Sequence, residues 1–239
     1  MRRTGRDAPQ LVIAHRGASA ARPENTLSAF DLALEQGADM IEIDLHRTRD
    51  GALVVAHDED LERLGGRGEI GDVTLAQIRQ FDAGDGQRVP TLEEVLDRFG
   101  ARIPFNLELK RGSAAEYPGL ERAALDAVER RGLLDQTLFS SFQDAVLERL
   151  RALAQTARIG VLVGRRSLGR WLERARAVGA ETVHFQVDLV NEDVVDAAHA
   201  ANLGVLAYTV DAVDEMRRLL GLGLDGLFTN HPDRLRGLV

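Results

Sequence analysis

The chain has no cysteine among its 239 residues. A disulfide framework, a thiolate metal site and a cysteine nucleophile are therefore excluded, and any metal must be held by oxygen or imidazole. Long apolar runs are missing too. The polar stretch from Met1 to Gln10 is followed by only four apolar residues, Leu11 to Ala14, far short of a signal-peptide core or of the roughly 20 residues that cross a bilayer. A cytoplasmic location without stable membrane association is the expectation. Positive charge is in deficit, with a net charge of −8. A phosphate backbone needs clustered cations rather than a scattered excess of acids, so nucleic acid is not an expected partner. Aromatic residues make up only 5% and offer no visible interface anchor, so the oligomeric state stays unread. There is no P-loop, no G-x-G-x-x-G opening a helix and no G-x-S-x-G elbow, which removes support for nucleotide cradles and acyl-serine chemistry. Lysine is nearly absent as well: among 30 basic residues, Lys110 is the only lysine.

With 44% hydrophobic residues the chain can bury a large core, and its length suits one α/β barrel or two small domains. One domain spanning 1–239, with its core over about 11–233, is the simpler reading. Short apolar, β-branched runs alternate with amphipathic stretches, the signature of βα units and a parallel sheet. Strands are expected near 11–16, 40–46, 53–57, 104–110, 137–141, 158–163, 182–187, 204–210 and 225–229. Helices are expected near 26–36, 91–99, 116–131, 143–154, 167–178, 191–201 and 211–221, with a short one after Pro232. That is one strand more than a (β/α)₈ barrel needs. The surplus is local, because Asp50-Gly51 is a hairpin signal and no helix fits between the second and third strands. Pairing residue 47 with 52 would bring His57 opposite Glu42, whereas a one-residue slip would send it to the other face. The Gly- and Asp-rich segment 58–90 reads as a small excursion after the third strand.

Within these strands lie charges that are costly to bury. Glu42 and Asp44 sit two apart in Met40-Ile-Glu-Ile-Asp-Leu45, as do Glu108 and Lys110 in Phe105-Asn-Leu-Glu-Leu-Lys110. Side chains alternate across a strand, so each pair shares a face. A metal or a charged substrate would compensate such groups; a lysine reaching solvent from a strand end is the bland alternative. Parallel barrels place their active sites at the carboxyl ends of the strands, and here His15-Arg16-Gly17 and His57-Asp58 both end apolar runs. Two imidazoles suit proton donation and acceptance near neutrality. The three carboxylates are hard oxygen ligands that fit Mg²⁺ or Ca²⁺ better than Zn²⁺, and Arg16 and Lys110 add the fixed positive charge that a phosphate group would meet. His46, His184, His199 and His231 read as structural, and of these His46 is the one that could face outward.

Taken together these residues resemble the glycerophosphodiester phosphodiesterases. The likeness runs through His15-Arg16-Gly17, Pro23-Glu24-Asn25-Thr26, Ala29-Phe30, Gly37-Ala38-Asp39-Met40-Ile41-Glu42-Ile43-Asp44, Thr48-Arg49-Asp50-Gly51 and Val54-Val55-Ala56-His57-Asp58. It continues through Pro90-Thr91-Leu92-Glu93-Glu94-Val95-Leu96, Asn106-Leu107-Glu108-Leu109-Lys110, Ser140-Ser141-Phe142, Thr209-Val210-Asp211 and Gly226-Leu227-Phe228-Thr229-Asn230. The resemblance implies a distorted (β/α)₈ TIM barrel and metal-dependent hydrolysis of a glycerophosphodiester to sn-glycerol 3-phosphate and an alcohol. It further implies His15 and His57 as the acid/base pair, Glu42, Asp44 and Glu108 as ligands of one Mg²⁺ or Ca²⁺, and Arg16 and Lys110 as phosphate contacts.

Two departures stand out. The family often has tryptophan before the Thr-Val pair and asparagine after it, where this chain has Tyr208 and Asp211, which implies a smaller and more polar pocket wall. The segment after His57-Asp58 is short and lacks the usual threonines, which implies a wider mouth. A lysophospholipase D acting on lysolipids with the same residues is therefore an alternative, and a non-catalytic barrel binding a phosphorylated metabolite is a third.

Overall fold

The computed structural model describes residues 10–239; the reading of the N-terminal stretch over 1–9 lies outside the described residues. Strands β1 (Leu11–His15), β2 (Met40–Arg47), β3 (Leu53–Val55), β4 (Phe105–Leu109), β5 (Thr137–Ser141), β6 (Arg158–Val163), β7 (Thr182–Gln186), β8 (Gly204–Tyr208) and β9 (Gly226–Thr229) form one sheet. Around it lie α1 (Leu27–Glu35), α2 (Leu75–Ile78), α3 (Leu92–Phe99), α4 (Leu120–Glu129), α5 (Asp144–Leu153), α6 (Trp171–Ala177), α7 (Glu192–Ala200), α8 (Val213–Gly221) and α9 (Pro232–Arg236). All strands except β3 run parallel, and pairing of β1 with both β9 and β2 closes them into a TIM barrel. Among the described residues no helix is long and apolar enough to cross a membrane.

The two-residue period of the strands sorts the side chains into two layers. Ile41, Ile43 and Leu45 of β2 join the outer core between sheet and helices, together with Phe30 of α1 and Phe99 of α3. Those two rings meet edge to face at 5.9 Å, a contact that adds about 0.5–1.5 kcal/mol beyond area burial. α3 starts where Thr91 and Glu94 form a reciprocal capping box, which contributes about 0.5–2 kcal/mol and accounts for the Thr91-Leu-Glu-Glu motif without any chemistry. The alternate residues face inward. Ile13, Met40, Leu138, Leu206 and Phe228 make a small apolar plug inside the barrel, and Glu42, Asp44 and Glu108 continue the same inward rows toward the carboxyl ends.

The barrel is distorted at β2. β1 pairs with its first half, Met40 to Glu42, and β3 pairs antiparallel with its last residues, Leu45 to Arg47. The observed register places Arg47 opposite Leu53, one residue away from the expected pairing with 52. The turn accounts for the slip: the Thr48 backbone N–H bonds the Ala52 carbonyl at 2.9 Å, and Gly51 takes a φ of 90°. This three-residue loop ending in a left-handed glycine replaces the tighter turn. β3 then stops at Val55, and the Ala56 N–H donates to the Asp44 carbonyl at 3.1 Å. The chain is drawn across the gap between β1 and β2, and His57 reaches the site in spite of the register. The excursion over 58–90 packs on its own small core of Val54, Leu61, Ile70, Ile78 and Val89.

One inward residue of the plug is polar. His184 is fully buried beside Phe228, with ring centroids 5.1 Å apart, and its Nε2 lies 2.8 Å from Thr182 Oγ1. A Cβ on Gly160 would lie 2.4 Å from that Nε2, so the glycine makes room for the imidazole. Burial pushes His184 down to about 3. The unfolded chain takes up a proton there near pH 6.5, so the stability it contributes is complete above that pH and is lost as the pH falls toward about 3, at about 1.4 kcal/mol per unit. His184→Leu should therefore flatten the pH dependence of urea-unfolding free energy between about pH 6 and pH 4 by about one proton; an unchanged slope would show that other groups govern this range.

Candidate active site

The His15-Arg16-Gly17 motif is a strand end that turns sharply. Arg16 adopts a left-handed φ of 58°, a conformation costing about 1–2 kcal/mol for a residue with a Cβ. Its backbone N–H thereby reaches both the carbonyl and the Oε2 of Glu42, each at 3.0 Å. Gly17 follows with φ 84°, and a Cβ there would sit 2.7 Å from the Ala29 backbone, so α1 can approach only over glycine.

Glu42, Asp44 and Glu108 are brought together by the direct pairing of β2 with β4, in which Asp44 faces Glu108. Ligand-capable oxygens of the three lie within 4.8 Å of one another. Lys110 Nζ bridges Asp44 Oδ1 at 2.9 Å and Glu108 Oε1 at 2.7 Å, and Arg16 Nε lies 3.2 Å from Asp44 Oδ2. Burial opposes ionisation of Asp44, yet Lys110, Arg16 and His57 outweigh it and hold the carboxyl well below the usual carboxylate range. Burial also opposes the Lys110 charge, but Asp44 and Glu108 reverse the balance and raise its pKa. Glu42 is different. Burial, then the charges of Asp44 and Glu108, push it well upward despite Arg16 and Lys110. Glu108 is pushed up by burial and Asp44, against the pull of Lys110. Three hard-oxygen donors, two of them pushed toward the protonated form by burial and by their neighbours' charge, are a donor set that suits a divalent cation of the Mg²⁺ or Ca²⁺ type.

His15, Arg16, Glu42, His57, Glu108 and Lys110 all line one cavity of about 170 Å³. Asp44 has no exposed surface and lies behind them. Every residue singled out from the sequence for metal, phosphate or proton transfer thus falls at one place on the barrel rim. His15 is pushed down to about 4 by burial and by the neighbouring Arg16 charge, against the hydrogen bond it makes to Asn230 Oδ1. His57 Nδ1 lies 2.6 Å from Asp58 Oδ1; a carboxylate only accepts, so Nδ1 carries a hydrogen.

Several participants escaped the sequence reading. Asn25, left-handed with φ 58°, donates from Nδ2 to Asp44 Oδ2 at 2.8 Å. Asn106 lines the cavity with a buried Oδ1 that has no partner, while its Nδ2 donates to Ser140 Oγ at 3.0 Å. Glu24 accepts from Arg16 Nη1 at 3.1 Å. All three stand inside the motif blocks, which is the only signal the sequence carried for them. His46 does not face outward. It is buried, its Nε2 donates to the His57 carbonyl at 3.1 Å and its Nδ1 accepts from Tyr117 Oη at 2.9 Å, so it anchors the backbone of His57. Tyr208 makes the wall less polar than its hydroxyl suggests, because that hydroxyl donates to the Val163 carbonyl at 3.1 Å and the ring packs edge to face on Phe142.

The sequence profile of the glycerophosphoryl diester phosphodiesterase family matches residues 15–234. A glycerophosphodiester phosphodiesterase of Caldanaerobacter subterraneus subsp. tengcongensis is 36% identical over 239 residues, covering 96% of this chain and 97% of that protein. One of Bacillus subtilis is 35% identical, covering 93% of this chain and 84% of the relative. Among solved structures, an Oleispira antarctica phosphodiesterase in complex with the product sn-glycerol-3-phosphate superposes with a TM-score of 0.85 at 33% identity, covering 96% of each chain. A second solved structure, of a Silicibacter pomeroyi protein, gives 0.89 at 27% identity, covering 96% of this chain and 93% of its own. Fold and likeness together define a hydrolase of phosphoric diesters on a TIM barrel. The chain belongs to the glycerophosphodiester phosphodiesterase family.

The crowding of Glu42 generates a prediction. Mg²⁺ or Ca²⁺ at about a hundredfold its dissociation constant should stabilise the protein by about 2.7 kcal/mol. Glu42→Gln should raise the melting temperature of chelator-treated protein, because a buried carboxyl that ionises against two others is removed, and should lose most of the metal-dependent increment. A variant that is less stable without metal and keeps the full increment would contradict the assignment.

Proposed function

We propose that the protein hydrolyses glycerophosphodiesters to sn-glycerol 3-phosphate and an alcohol, with His15 and His57 as the proton-transferring pair. The observation that carries this reading is the convergence of both imidazoles, Arg16 and Lys110 on the cavity that Glu42 and Glu108 also line. A divalent cation at Glu42, Asp44 and Glu108 would offset charge on the phosphate oxygens. Lys110 and Arg16 orient the phosphodiester from the cavity wall. His15, kept neutral by burial, accepts the proton of the attacking hydroxyl on Nε2. As the new P–O bond forms and the bond to the alcohol breaks, His57 gives its Nε2 proton to the departing oxygen, and Asp58 at Nδ1 balances the charge on the ring beforehand. The attacking hydroxyl is water or the glycerol 2-hydroxyl; in the second case a cyclic phosphate forms and water opens it through the same two histidines with roles exchanged.

Phe142, 42% exposed beside the cavity, favours a second reading, a lysophospholipase D whose lysolipid acyl chain would lie against this ring.

Purified protein should release sn-glycerol 3-phosphate from glycerophosphocholine and glycerophosphoethanolamine, lose this activity in EDTA and regain it with Mg²⁺ or Ca²⁺. No release from these diesters together with turnover of lysolipids would favour the second reading. His15→Ala and His57→Ala should each lower kcat by about 10²-fold to 10⁴-fold; near-wild-type turnover in either would remove that residue from the mechanism.

A further inference from the structure

Asp211, three residues beyond the end of β8, makes no hydrogen bond or ion pair to a residue assigned to metal, phosphate or proton transfer, yet it is linked to one of them through Asn230. Its carboxylate accepts from Thr229 Oγ1 at 3.1 Å, from the Asn230 backbone N–H at 2.8 Å and from Asn230 Nδ2 at 2.8 Å. A carboxylate only accepts, so the amide NH₂ of Asn230 must face Asp211 and the amide oxygen must face away. That oxygen lies 2.8 Å from His15 Nδ1 and 2.8 Å from Ser19 Oγ. The Ser19 hydroxyl is also 2.7 Å from the His15 carbonyl; its single hydrogen serves one of these two acceptors at a time, so the sense of the Asn230 amide is set by Asp211. Thr209 Oγ1, at 3.5 Å from Nδ1, can give or take a hydrogen and imposes no direction.

We propose that Asp211 and Asn230 are positioning residues: through the chain of hydrogen bonds Asp211 to Asn230 to His15 they set the imidazole tautomer, with hydrogen on Nδ1 and the lone pair on Nε2 toward the cavity. The functional consequence rests on the reading of His15 as a proton-transferring group; the tautomer itself does not. The carboxylate makes the relay one-way, because an amide at that position could be satisfied in either sense. Ordering a ring through its second nitrogen is a general way of presenting the first one ready for reaction.

Asp211→Asn is nearly isosteric and places an NH₂ against the NH₂ of Asn230, so one of the two amides must turn. If Asn230 turns, it donates to His15 Nδ1 and the imidazole hydrogen moves to Nε2. The test is a long-range ¹H–¹⁵N spectrum of histidine-labelled protein in the presence of Mg²⁺, with the His15 signals identified by their loss in His15→Gln. The expected result is hydrogen on Nδ1 in the wild type and a shift of population to Nε2–H in Asp211→Asn. For glycerophosphocholine, kcat should fall about 10-fold to 100-fold with KM nearly unchanged. The double exchange Asp211→Asn with Asn230→Asp restores a one-way relay and should recover both the tautomer and kcat. Hydrogen on Nε2 in the wild type, an unshifted tautomer in Asp211→Asn, or a double exchange that recovers neither would overturn the proposal. If the wild type hydrolyses no diester, the reading of the site fails and the spectra alone decide the relay.

Discussion

Glu42, Asp44 and Glu108 lie on the inner face of adjacent strands, nearly out of reach of water, and their mutual repulsion is the constraint to which the surrounding residues answer. Among the described residues the arginine and lysine cations within reach of the three are Arg16 and Lys110, and both are engaged by Asp44. Lys110 also serves Glu108. Glu42 is left with backbone donation from Arg16 and the full cost of burial beside two like charges. Such a cluster is costly for an apoprotein and suits one that takes up a divalent cation. The strained Arg16, the left-handed Asn25 and the single lysine each stand where they temper that cost.

The two histidines are backed by unlike partners. His57 stands against the carboxylate of Asp58 and its backbone is tied down by His46, whereas His15 stands against the neutral amide of Asn230. The proposed roles, one imidazole taking a proton and the other giving one, call for such unequal settings. The distortion at β2 serves the same end. By occupying the edge that β1 leaves, β3 carries His57 to the rim from a direction that no regular βα unit would supply.

The βα alternation was readable because each strand must be apolar on its outer face and each helix on one stripe, and the ends of most elements fell within a few residues of expectation. Helix starts were less readable. The fourth helix begins at Leu120 rather than near 116, after Pro118 and a left-handed Gly119, and the stretch from 167 is a 3₁₀ turn before α6 begins at Trp171. The hairpin register slipped because a two-residue signal, Asp50-Gly51, sits within a loop that Thr48 closes one residue further on. The orientation of His46, which reads as structural from the sequence, is not legible locally because it depends on Tyr117, far along the chain, and no local pattern announces that partner.

The sequence by itself determined the charge pattern of the site. Period-two alternation places Glu42 with Asp44, and Glu108 with Lys110, on one face each, and that follows from strand geometry whatever the neighbours are. The absence of cysteine likewise restricted any metal to oxygen or imidazole before a fold was known. Only the tertiary structure decided which polar groups complete the site. Asn25, Asn106, Asp211 and Asn230 are short side chains whose roles come from contacts closed by the barrel: β1 meets β9 across more than 200 residues of chain, and that closure sets Asn230 against His15. A hydrogen bond is directional and is satisfied by whatever folding brings near, so its partners are written in the topology rather than in the local sequence.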